Sequence, residues 1–69
     1  MATSKRDYVA IARAIKAERI AATTMHDGAY QTGMLFSCSR IEQALADYFA
    51  SDNPRFDRSR FLEACGVNG

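Results

Sequence analysis

The chain has 69 residues, 48% of them hydrophobic and 25% charged, with a formal net charge of +1. That composition is globular rather than disordered. The length allows one domain, and the near-neutral charge excludes an overall field that would by itself draw the chain to nucleic acid or an anionic membrane. A domain of this size buries only about 60% of the surface its unfolded chain exposes. Its single core supplies no more than roughly 3–5 kcal/mol, so self-association or a partner would add to a marginal stability.

Residues 4 to 24 read as a first helix. Ser4 followed three positions later by Asp7 has capping-box spacing, in which the hydroxyl accepts from a free backbone N–H and the carboxylate reaches back. Tyr8, Ile11, Ala12, Ile15 and Ala22 share one face at the 3.6-residue period, interrupted by Arg19 on the same side. Val9 and Ile20 lie on another face, and the many alanines permit close approach of a neighbouring helix. The longest apolar-leaning run, Tyr8 to Ile15, contains Arg13 and is followed by Lys16, Glu18 and Arg19, which excludes a signal-peptide core or a membrane span. A cytoplasmic protein is expected.

Thr23 to Gly28 breaks the pattern. Asp27-Gly28 is a turn signal, and so short a connection sets the next helix antiparallel to the first. The alternative is one long helix bent at this point, because a lone Gly costs only about 1 kcal/mol inside a helix.

A second helix is expected over residues 29–50. Met34, Cys38, Ile41, Leu45 and Tyr48 step by the alternating spacing of a seam that packs on another helix. Tyr30, Ala44 and Phe49 widen it. Opposite lie Arg40, Gln43, Asp47 and Phe36, with Leu35 at the border. Phe36 beside Leu35 is therefore a candidate contact surface for a second copy or a protein partner.

Pro54 ends that helix, since it lacks an N–H and disfavours helical geometry at Asn53. A short third helix over residues 57–65 follows. Asp57 is its N-cap, Phe56 and Phe61 form the hydrophobic staple, and Gly66 occupies the left-handed position of a Schellman motif in which Val67 meets Leu62. The fold expected is all-α: an antiparallel two-helix hairpin closed by a C-terminal clasp.

Arg55, Arg58 and Arg60 put three guanidinium groups in one short stretch and could bind phosphates, as could Lys5, Arg6, Arg13, Lys16 and Arg19. The third helix is too short to read a major groove, and Asp52, Asp57 and Glu63 stand among the arginines to neutralise them. No nucleophile-and-base pair, carboxylate pair or phosphate-cradling glycine loop is present, so no enzyme and no cofactor are expected. Cys38, Cys65 and the lone His26 lack the spacing of a zinc site, and the two cysteines read as partly buried thiols.

The stretch LADYFASDNPRFDRSRFLEACGV, within about residues 44–67, resembles the C-terminal segment of small open reading frames of actinobacteriophages and their actinobacterial hosts. Those proteins end in an alanine-rich helix, DNPRFD, a basic residue, RFL and a small-residue pair before Gly. The resemblance carries no activity. It implies a phage or prophage accessory protein of the bacterial cytoplasm that works by binding a host or phage protein. The residues and the resemblance together point to a self-associating helical interaction module that binds a protein partner through Leu35 and Phe36 or through leftover apolar groups of the first helix, with a DNA- or RNA-binding accessory protein using Arg55, Arg58 and Arg60 as the alternative.

Overall fold

In the computed structural model, which describes residues 4–67, three helices follow one another: α1 (Lys5–Met25), α2 (Gly28–Asp52) and α3 (Arg58–Ala64). The two long helices pack on each other, and α3 contacts both. The expected boundaries hold to within two residues, and the chain is broken at His26–Asp27 rather than bent through it.

Each boundary has a local cause. At the start of α1 the Ser4 hydroxyl accepts from the Asp7 N–H at 3.4 Å while the Ser4 N–H donates to the Asp7 carboxylate at 3.1 Å, the reciprocal pairing of a capping box. At the hairpin, Gly28 takes φ +60, a left-handed geometry that costs glycine least. The Gln31 amide then donates to the carbonyl of His26 at 2.9 Å and approaches those of Thr23 and Ala22, covering acceptors that α1 leaves open at its end. At α3 the Asp57 carboxylate accepts from the Arg60 N–H at 3.1 Å. The other end closes with Gly66 at φ +92, its N–H donating to Glu63 at 3.0 Å and that of Val67 to Leu62 at 3.1 Å, the two bonds of a Schellman motif.

The core lies where α3 closes the open end of the hairpin. Ala12, Ala46, Phe49, Phe61 and Cys65 are buried there, with Tyr8, Ile11, Ile15, Leu45, Phe56 and Leu62 packed around them. Phe49 is the hub. Its ring centroid stands 4.8 Å from Tyr8, 5.5 Å from Phe56 and 5.4 Å from Phe61, the last two edge to face, an arrangement that satisfies the ring quadrupoles. Asn53 ties the α2–α3 link to α1: its side-chain amide donates to the Tyr8 hydroxyl at 3.1 Å, and its carbonyl oxygen accepts from the Arg55 N–H at 3.0 Å.

The structure corrects the face that α2 presents to the hairpin. Cys38, Glu42, Ala46 and Phe49 point inward, while Ile41 and Tyr48 of the expected seam are 54% and 63% exposed. At 100° per residue the buried face is rotated by about 75° from the expected one. The first cause is electrostatic. Arg19, the interruption in the α1 stripe, pairs with Glu42 and also donates to the Ser39 hydroxyl at 3.1 Å, so the inward face of α2 must carry that carboxylate. The second is steric, because Ala12 and Ala46 let the helix backbones come close where Ile41 and Tyr48 would hold them apart.

Glu42 is fully buried and is satisfied by Arg19 alone among the described residues. The same pair reaches α3. Burial first, and then the charge of Glu42, push the Cys65 thiol up to about 11. A methyl group on Gly66 would stand 3.2 Å from the Arg19 Cδ, so the end of α3 lies on the arginine stem.

Candidate functional site

On α2, Tyr30, Phe36, Ile41 and Tyr48 are more than half exposed, and they belong to two different faces. Tyr30, Met34, Ile41 and Tyr48 stand within about 40° of one another on the helical wheel and run about 27 Å along the axis, at 1.5 Å per residue. Of the seam that the sequence pattern assigns to the hairpin interior, Cys38 and Phe49 are buried and Leu45 packs on the core, while Tyr30, Ile41 and Tyr48 face solvent instead and Met34 is half-buried. Beside it an open depression of about 430 Å³ is lined by Tyr30, Gly33, Met34 and Ser37. A methyl group on Gly33 would meet nothing within 4 Å, so no packing inside the monomer asks for glycine there.

Phe36 lies about 200° from Met34 on the wheel at 100° per residue. It is exposed, as the sequence reading expects, and the Arg40 guanidinium stands over its ring at 5.9 Å from the centroid, a cation–π geometry. Leu35 does not join it. That side chain lies on the inward face, between Glu42 and Ala46 on the wheel, and is half-buried, so the expected Leu35/Phe36 pair is not one continuous exposed patch.

The three arginines of the C-terminal stretch do not converge either. Arg58 turns back onto α2, where it pairs with Asp47 at 2.6 Å and donates to Gln43 at 3.0 Å. Arg60 stands 3.8 Å from the Asp57 carboxylate. Arg55 has no ion pair among the described residues. Arg55 and Arg60 face a different element, the first turns of α1, and with Lys5 they border a groove of about 500 Å³ whose apolar lining comes from Tyr8, Val9, Phe56, Phe61 and Ala64. Sequence reasoning missed this groove, because Lys5 and Arg55 are fifty positions apart and only the clasp brings them together.

His26 lies tilted against Tyr30 with ring centroids 4.5 Å apart, and both cysteines are buried free thiols. Among the described residues no three metal-ligating side chains gather, and no helix is long and apolar enough to cross a membrane. No protein-family model, curated protein or solved structure matches the chain.

Proposed function

We propose that this protein is a non-enzymatic helical interaction module that pairs with a second copy through the outward stripe of α2 and binds a protein partner through the Phe36 side of the same helix. One observation carries the reading: Tyr30, Ile41 and Tyr48, with half-buried Met34 among them, form an apolar stripe the length of a second helix seam, while among the described residues Phe49 and Phe61 are the only large apolar side chains buried. Leaving such a stripe in water is costly, since each large apolar side chain gains about 1.5–3 kcal/mol on full burial. A two-fold dimer would bury every member twice. Gly33 and Ser37 give the stripe a shallow place in which a partner helix can approach closely.

The resemblance of the C-terminal segment supports placing the module among phage or prophage accessory proteins acting in a bacterial cytoplasm. A DNA- or RNA-binding role draws less support, because Arg58 is spent on Asp47 and Gln43 and two arginines remain.

Sedimentation at micromolar concentration tests the proposal. The parent should run as a dimer or larger, Ile41→Glu as a monomer with its helical circular dichroism intact, and Phe36→Glu as the parent does but without capture of the partner. A monomeric parent would refute the self-association. Dissociation by Phe36→Glu and not by Ile41→Glu would move the contact to the other face.

A further inference from the structure

The groove at the open end of the hairpin carries an inference that rests on the reading of this chain as an interaction module and goes on to the chemistry of a partner. Its two walls come from the start of α1 and from α3 with the link before it. The floor is apolar: Tyr8 and Phe56 are half-buried and packed edge to face at 69°, Phe61 is buried beneath them, and Val9 stands 37% exposed beside them. The rim is cationic. Lys5, Arg55 and Arg60 border the groove, and among its described lining residues Asp57 is the one carboxylate, already accepting the Arg60 N–H and lying near its guanidinium. The charge left over at the rim is positive by about two, on a chain whose net charge is only +1.

We propose that this groove binds an acidic segment of a partner protein, with an aliphatic or aromatic side chain seated against Val9 and Phe56 and flanking carboxylates held by Lys5, Arg55 and Arg60. An apolar floor with cations at its edge selects a ligand of complementary pattern, and a carboxylate accepts bidentate bonds from arginine. The groove is open along one side, which suits side chains projecting from a longer chain rather than a small molecule that needs enclosure on most of its surface. Nucleic acid fits less well. Three cations release few counterions, and the rings of Tyr8 and Phe56 are packed edge to face on each other and both lie against Phe49, instead of offering a free stacking platform.

Selection of a random-peptide display library on the full-length protein tests the idea without guessing a sequence. The parent should enrich peptides in which Asp or Glu flanks Leu, Phe or Trp. Lys5→Glu/Arg55→Glu should shift the enrichment toward basic peptides, a reversal that loss of structure alone would not produce. A labelled peptide from the parent selection should bind Arg55→Glu at least about tenfold more weakly by fluorescence anisotropy, the loss expected for about one charge-assisted contact. Arg55 keeps this test available if the double variant does not fold, since its side chain makes no described ion pair. No enrichment, enrichment of neutral or basic peptides by the parent, or displacement of the peptide by a single-stranded DNA oligonucleotide would overturn the proposal. Sedimentation of the same preparations reads the α2 association separately, so failure of the groove and failure of the module reading give different results.

Discussion

Replacing Arg19 with Met should do more damage than any other single change to a polar side chain in this protein. Glu42 is buried with its side chain 1% exposed, and every hydrogen bond described for it comes from Arg19. Removing the guanidinium leaves a carboxylate in the interior with neither counter-charge nor donor, a change worth about 3–5 kcal/mol. That matches the upper bound of roughly 3–5 kcal/mol on what a core of this size supplies, so Arg19→Met should be largely unfolded at 25 °C. Glu42→Met should cost less, about 1.5–3 kcal/mol for a lost charged hydrogen bond. The arginine left behind is 17% exposed, keeps Ser39 as an acceptor and can extend its head toward water. Arg19→Met/Glu42→Met removes both charges and fills the space, and should return to parental stability or exceed it by about 1–4 kcal/mol. Urea denaturation followed by far-ultraviolet circular dichroism measures all four proteins. Sedimentation alongside keeps association from being counted as intrinsic stability. An Arg19→Met variant within about 0.5 kcal/mol of the parent, the range of ordinary surface substitutions, would refute the account, and so would a double variant whose loss is the sum of the two singles.

Three further outcomes follow from the clasp. Phe61→Ala should cost about 3–5 kcal/mol, because the ring is 4% exposed against Phe49 and Phe56; a thermal melt within a few degrees of the parent would show that α3 does not hold the fold. Asp57→Ala should lose about 0.5–2 kcal/mol and Asp57→Asn much less, since Asn still accepts the cap bond; equal losses in chemical denaturation would assign the effect to the Arg60 pair instead. Cys65, raised from 9.0 to about 11 by burial and then by Glu42, keeps its proton in the folded state at pH values where the unfolded thiol has lost it. Its contribution is therefore complete below pH 9 and is lost as pH rises toward 11, about 2–3 kcal/mol over that window. Cys65→Ala should remove that portion of the alkaline decline in denaturation midpoints, and an unchanged decline would refute the assignment.

The parts of this protein legible in its sequence are those set by groups a few bonds apart. Ser4 and Asp7, Asp57 and the N–H of Arg60, and Gly66 with the carbonyls before it find each other within one turn of chain. So helix number, boundaries, the hairpin turn and the clasp all follow from spacing and turn chemistry. The staple of Phe56 and Phe61 follows in the same way, and the structure sets those rings 5.6 Å apart.

The orientation of α2 was not legible, and with it went the partition between core and surface. Counting apolar residues on a wheel ranks Met34, Ile41 and Tyr48 above a face that contains Glu42. That ranking treats a carboxylate as a fixed cost. Arg19, 23 positions earlier on another helix, removes most of the cost, and Ala12 against Ala46 adds a closeness that bulky residues forbid. The groove of Lys5, Arg55 and Arg60 depends on the same kind of long-range fact, because α3 must dock before those cations share a surface. Local hydrogen bonds and turn geometry are written in neighbouring residues and so determined the helices by themselves. Which faces meet is a free energy shared between distant side chains, and only the packed tertiary structure decided it.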